Sequence, residues 1–354
     1  MNINILVDYL IISTVASIAI NYLLRNIAKG KNILVDLPDK SRKFHKRPTP
    51  LTGGLGILIS LLISGKLYLD LNELNGFMPV FSAYLILTSF VLVLFFLLDD
   101  IFQINVKLRL AAQMLFSYFI IHNTGVSLES FGNLLGFGEI ELGVLSVPIT
   151  IFCVMGVMNA FNMIDGINGL CAGSALMMML FTGFYSGLIY DSMLVLVIGS
   201  ILGFLVFNLR IMGKKRAVFL GDNGSNFIGF LVAWIAIYAT QNDFYNINPM
   251  TTVWFIAIPF LDCIGLIISR TLRGINWAKP GRDHIHHKLM LKFTPGMSLV
   301  IITIFSSLLA TMAILMDNYL SEYVSFYLFV LFAGIYYFLF HYFLRGKKVE
   351  ILDV

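Results

Sequence analysis

Four polar stretches interrupt an otherwise apolar chain, and the residues in them have the chemistry of metal-assisted phosphoryl transfer. The first is Asn159–Leu170, NAFNMIDGINGL, with three Asn, one Asp and two Gly between two apolar runs. Bilayer hydrocarbon leaves backbone and carboxylate groups unsatisfied, so this stretch must lie in water or in a protein cavity. Asp165 offers a hard oxygen ligand or a fixed negative charge, and Gly166 and Gly169 permit tight turns beside a ligand. The second stretch ends an apolar run in Asp99 and Asp100, followed by Lys107 and Arg109. Adjacent carboxylates repel, and a nearby cation or metal keeps both charged. In the third, Arg210–Phe230, Asp222 sits in a Gly-Asp-Asn-Gly-Ser turn that opens a span. Helix N-terminal amides there could hold phosphate and Asp222 could hold Mg²⁺, although a plain N-cap explains the Asp equally well. The fourth, Arg282–Lys288, gathers His284, His286 and His287 with Arg282, a grouping that grips phosphate oxygens. Zinc fits it poorly: no Cys is near, no H-x₃₋₅-H spacing occurs, and hard-oxygen carboxylates dominate the other stretches. Together these residues suit a reaction in which Mg²⁺ neutralises a diphosphate that Lys, Arg and His hold.

The elements that must position them are membrane helices. Of 354 residues, 58% are hydrophobic and 12% charged, and the mean hydropathy of +0.86 lies far outside the soluble range. Apolar windows fall near 3–24, 51–69, 77–98, 108–122, 144–158, 169–186, 192–209, 224–240, 250–269, 297–316 and 323–343. The chain therefore reads as an all-α polytopic membrane protein of about eleven transmembrane helices. The first run lacks a basic segment before it and a small-residue cleavage pattern after it, and reads as a retained span. Lys and Arg collect in 25–50, 99–109, 210–222, 270–296 and the tail 344–354, all on one side of an eleven-span path. By the positive-inside bias that side is cytoplasmic, with the N-terminus periplasmic and the C-terminus cytoplasmic. Basic patches in so apolar a chain flank lipid and point to no nucleic-acid partner. The first basic loop also carries Pro48, Pro50, Gly53 and Gly54, a rigid turn suited to an anion. The organisation expected is one integral-membrane domain over 1–354, with site loops at 25–50, 99–107, 159–168, 210–223 and 270–296. A transporter with Asp99, Asp165 and Asp262 as relay carboxylates is the competing reading; only Asp262 lies well inside a span, and no inverted repeat accompanies it.

In order and spacing, LLDD at Leu97–Asp100, NAFNMIDGINGL, FLGDNGS at Phe219–Ser225 and HIHH at His284–His287 resemble the polyprenyl-phosphate N-acetylhexosamine-1-phosphate transferases. The resemblance covers roughly residues 33–290 and is nearest the branch that uses UDP-GlcNAc; HIHH differs from the three consecutive histidines usual in the MurNAc-pentapeptide branch. It implies transfer of GlcNAc-1-phosphate from UDP-GlcNAc to undecaprenyl phosphate at the inner membrane, with Mg²⁺ or Mn²⁺. The product would start a lipopolysaccharide O-antigen or an enterobacterial common antigen. By the same resemblance Asp99, with Asp100 and Asp165 as catalytic neighbours, would deprotonate or position the lipid phosphate; a covalent aspartyl intermediate stays open. Asp222 would ligate the metal with Asn162 nearby, and Phe219 would stack on uracil. His284 and His286, with His287, Arg282, Lys107 and Arg109, would line the phosphates. Asp36 also falls at a family acidic position, and a homodimer is compatible with the pattern. One position departs: relatives in bacteria usually read DG-x-DG where this chain has Asp165-Gly-Ile-Asn168-Gly. A carboxamide donates and accepts toward a base edge, whereas a carboxylate only accepts, so Asn168 fits nucleotide reading.

The orientation is checked by labelling. A cysteine at Ser130 should react with an impermeant reagent from the periplasm and one at Ser41 should not; the reverse pattern would overturn the topology.

Overall fold

The computed structural model describes residues 3–38, 47–71, 79–242, 244–245, 247–276 and 281–343. Parts of the first basic loop, of the 270–296 loop and the whole basic tail fall outside the described residues. Among the described residues the chain is mainly helical, and each apolar window contains a helix. Five helices among the described residues are long and apolar enough to cross a membrane, or six if one bent helix pair is taken as a single span. This is a multi-pass helical membrane protein. Packing divides it into two compact units, Met1–Gly125 with Gly187–Leu231, and Val126–Ser186 with Val232–Val354.

The first unit contains α1 (Ile3–Lys31), α2 (Gly53–Leu71), α3 (Pro79–Phe102), α4 (Val106–Thr124), α7 (Ser192–Asn208) and the opening of α8 (Gly221–Gln241). Among its described residues the one sheet is a two-residue antiparallel pair, β1 (Val35–Asp36) with β2 (Thr49–Pro50), Asp36 opposite Thr49. Without a hydrophobic driving force between helices in lipid, close packing needs small residues at the seam. The α1–α7 seam has them: Ser17 Oγ donates to the Ser200 carbonyl at 2.6 Å. A Cβ on Gly203 would lie 2.5 Å from Ser17 Cβ and 2.6 Å from the Thr14 carbonyl oxygen. The opposite stripe of α1, including Val7, Ile11 and Val15, is exposed, as a lipid-facing surface should be.

The second unit contains α5 (Ser146–Ile164), α6 (Leu170–Ser186), the rest of α8, α9 (Pro249–Phe255), α10 (Ala257–Thr271), α11 (Ile285–Leu289), α12 (Pro295–Tyr319) and α13 (Glu322–Tyr336). A π-helical stretch, Tyr337–Phe343, continues α13. Buried Trp254 on α9 packs edge-on against Phe329 of α13, centroids 4.9 Å apart, and donates to Ser325 Oγ at 3.1 Å. The sequence window 250–269 suggested one span; here it breaks by 81° between α9 and α10. Pro259 is the cause: it has no N–H for the Phe255 carbonyl and its ring crowds that carbonyl, so the helix cannot run through Ile256.

The seam yields a prediction of opposite signs. Ala is normally better than Gly in a helix by about 1 kcal/mol, and Gly173→Ala on α6 meets open space, so it should hold or raise the thermal midpoint in detergent. Gly203→Ala should instead lower it, with overpacking costing about 1–3 kcal/mol. Equal shifts for the two variants would contradict the seam.

Candidate active site

In the first unit the FLGDNGS segment is fixed by backbone pairing. Phe219 N–H donates to the Pro50 carbonyl at 2.8 Å, Gly53 N–H to the Phe219 carbonyl at 3.0 Å, and Gly54 N–H to the Leu220 carbonyl at 3.2 Å. A Cβ on Gly54 would sit 2.3 Å from Gly224 Cα, so this proline–glycine turn works by close backbone approach. Half-buried Phe219 is thereby held at the entrance to α8. Gly221, at φ +77, turns the chain into the helix.

The two adjacent carboxylates of α3 do different things. Asp100 accepts from the Asp222 N–H at 2.9 Å, the Asn223 N–H at 3.2 Å and Asn223 Nδ2 at 2.6 Å. It caps α8 from another helix, satisfying amides that would otherwise lack partners and placing negative charge at the helix N-terminus. The capping role considered for Asp222 is thus filled by Asp100, and Asp222 lies in the first helical turn. Asp99, only 3% exposed, has its Oδ2 3.4 Å from Arg109 Nη1, and Asp222 Oδ2 lies 3.6 Å from the same nitrogen. One guanidinium therefore stands between two carboxylates. It is delivered by α4, whose N-cap Asn105 accepts from Leu108 N–H at 2.9 Å. Lys107 is exposed on the first turn of α4, and Asp36 is half-buried on β1.

These oxygens fit a hard divalent ion. Asp99 Oδ2 is buried, with the 3.4 Å approach of Arg109 its one polar contact among the described residues, and it shares that cationic partner with Asp222. No group of three or more His, Cys, Asp or Glu could enclose a metal among the described residues. Mg²⁺ needs no such cage, since it binds through one or two carboxylates, waters and substrate phosphates.

The second unit holds the other two motifs. NAFNMIDGINGL is helical in its first half: α5 runs to Ile164, carrying Asn159 and Asn162 in its last turns, and only Asp165–Gly169 is the turn into α6. Asn162, Asp165 and Asn168 are all half-buried. A Cβ on Gly166 would fall 2.0 Å from His286 Nε2, so the absent side chain is what lets this turn meet the histidine segment.

That segment is pinned twice to α10. Asp262 Oδ2 lies 2.8 Å from His284 Nδ1, and its Oδ1 accepts from Ile285 N–H at 2.8 Å. Eight residues further along α10, Arg270 grips Asp283 with two nitrogens, Nε to Oδ2 at 3.1 Å. Arg273 adds a contact at 3.4 Å. The imidazoles gather, His284 and His286 stacked at 5.4 Å and His286 and His287 4.1 Å apart. His286 is fully buried with no hydrogen-bond partner at either ring nitrogen. Burial, then the neighbouring His287, pushes His286 well below the usual imidazole range, and burial with His284 takes His287 down to about 4. Burial also lowers Lys288 to about 8. Half-buried Arg282 precedes the segment. Sequence reasoning passed over Arg270 and Asp283; the signals were an Arg near the end of an apolar helix and an Asp directly before the histidines.

A multi-pass membrane protein with carboxylates around a cation in one unit and clustered imidazoles in the other has the equipment of a transferase acting on phosphates. The chain belongs to glycosyl transferase family 4, whose family model matches residues 82–240, and it is an enzyme of that family. Its relatives include the undecaprenyl-phosphate alpha-N-acetylglucosaminyl 1-phosphate transferase of Yersinia pestis, 35% identical over 317 residues, 86% of this chain and 84% of the relative. The protein of that name from Escherichia coli K12 is 35% identical over 87% of this chain and 83% of its own. That from Haemophilus influenzae is 35% identical over 81% and 80%.

Proposed function

We propose that this enzyme transfers N-acetylglucosamine 1-phosphate from UDP-GlcNAc to undecaprenyl phosphate, giving undecaprenyl-diphospho-GlcNAc and UMP. What carries this reading is the agreement of relatives at 33–35% identity, over more than four fifths of this chain, on one activity name. Release of UMP requires that the lipid phosphate oxygen attack the phosphorus bearing the sugar. A P–O bond forms there, and the bond to the oxygen bridging the two donor phosphorus atoms breaks, that oxygen leaving with UMP.

In this proposal Asp99 positions or deprotonates the lipid phosphate, a covalent aspartyl route being the alternative. Asp222 would hold Mg²⁺ or Mn²⁺, with Asn162 as a further ligand from the family pattern. The ion, when bound, offsets the charge of the diphosphate. Asp100 keeps α8 in place beneath Asp222, and Asp165 holds negative charge in the turn against His286. Phe219 offers a ring face to uracil, and Asn168 can both donate to and accept from its edge. His284, His286, His287 and Arg282 serve the phosphates, and Lys107 and Arg109 the acceptor. Buried His286 and His287 are neutral at pH 7 by their lowered pKa values; a diphosphate beside them would raise those values, so binding would take up protons. Eleven spans, a periplasmic N-terminus, a cytoplasmic C-terminus and cytoplasmic motifs at the inner membrane complete the proposal. The product would enter O-antigen or enterobacterial common antigen synthesis.

Purified enzyme with undecaprenyl phosphate and Mg²⁺ should form labelled lipid diphospho-sugar from UDP-GlcNAc and release an equal amount of UMP. Product only from UDP-GalNAc or a 6-deoxy N-acetyl donor would replace the sugar, and none from any donor would sink the reaction. With the accepted donor, Asn168→Ala should raise KM roughly tenfold with kcat largely kept, the effect of one lost hydrogen bond of about 1–2 kcal/mol. Asp99→Asn should do the reverse, collapsing kcat while UDP affinity by calorimetry is retained. Exchange of these two outcomes would overturn the assigned roles.

A further inference from the structure

The end of the last helix reaches the residue behind the histidine segment. Tyr336 Oη donates to Asp262 Oδ1 at 3.4 Å, and His341 Nε2 lies 3.6 Å from the same oxygen. Both side chains are 2% exposed. The π-helical stretch that carries His341 is itself tied down. Lys288, at the end of the histidine segment, donates to the Phe340 carbonyl. Ser269 Oγ donates to the His341 carbonyl at 3.3 Å. The His341 ring fills space that α10 leaves empty at Gly265, where a Cβ would fall 2.5 Å from the ring. A wide π turn, which redirects side chains and loosens the regular ladder, is often found at functional positions. Here it aims one imidazole at a buried carboxylate and leaves two carbonyls to side-chain donors.

We infer that Tyr336 and His341 are positioning residues that act through Asp262 on His284, making the last helix a latch on the histidine segment. A carboxylate only accepts hydrogen bonds, so the His284 nitrogen facing it, Nδ1, carries the proton and Nε2 is the nitrogen left to meet a ligand. Groups behind a ligating histidine that fix its tautomer and ring angle act in this way. Asp262 can set that angle only if its own carboxylate does not rotate. Oδ2 is committed to His284, and Oδ1 accepts from the Ile285 amide and the Tyr336 hydroxyl, with the His341 ring against it at 3.6 Å, too far for a hydrogen bond. This inference rests on the proposed role of His284 at the donor diphosphate.

The test is a mutant cycle read by UDP-GlcNAc affinity, measured by calorimetry on the full-length protein in Mg²⁺. His341→Phe keeps a ring against Gly265 and removes the nitrogen. Tyr336→Phe removes one oxygen and keeps the packing, so it carries the test if the first variant folds poorly. Tyr336→Phe should weaken binding about five- to tenfold, the worth of one modest hydrogen bond; His341→Phe, which removes only the longer contact, should weaken it less, and His341→Gln, which restores a polar group, should recover part of that loss. In a His284→Ala background neither variant should weaken binding further, because the residue they act through is gone. Wild-type protein that does not bind UDP-GlcNAc would overturn the functional reading and the latch with it. Wild-type protein that binds, while the Phe variants lose nothing or lose equally with and without His284, would overturn the latch alone.

Discussion

Each unit's motifs depend on the same interaction: a buried carboxylate on one helix accepting the backbone N–H of a distant segment. Asp100 does this for Asp222 and Asn223, and Asp262 for Ile285. In a chain this apolar, a helix start or a sharp loop is admitted only where its free amides find acceptors, because lipid supplies none. Each Asp satisfies amides of a motif it is not part of in sequence, and in doing so fixes where that motif's own polar groups stand. Asp222 owes its place to Asp100, and His284 to Asp262.

This explains the asymmetry of the Asp99–Asp100 pair. Two adjacent carboxylates that both faced a ligand would repel, and neither would be anchored. Here Asp100 spends both oxygens on α8, and Asp99 turns its buried Oδ2 toward Arg109, 3.4 Å away. A similar split runs through the histidine segment. His284 is bound to Asp262 at one nitrogen, whereas His286 is buried with both nitrogens unpaired, a costly arrangement that a ligand's oxygens would relieve.

Much of this was legible in the residues, and what was not had a physical reason. Apolar windows located every long helix, because length and hydropathy are local properties. The four motifs stood out as polar groups where lipid tolerates none. The division between Asp99 and Asp100 was not legible, since it depends on Asn223 arriving from 123 residues away. The first half of NAFNMIDGINGL is helical, and Asn159 returns its side-chain amide to the Met155 carbonyl, so this polar residue is satisfied inside the helix without ending it. The break at Ile256 was in principle readable from Pro259, but its apolar setting hid it within one continuous window. Arg270 and Asp283 are 13 residues apart in sequence and meet only in the fold, and nothing in their types alone demanded the pair.

The carboxylate–amide ties are tested most directly by hydrogen–deuterium exchange read by mass spectrometry over peptides covering 220–225 and 283–288. In the unaltered protein both should exchange slowly. Asp100→Ala should speed exchange in the first peptide only, and Asp262→Ala in the second only. Exchange in both peptides left unchanged by either substitution would show that these carboxylates do not hold the motifs, and the account built on them would fail.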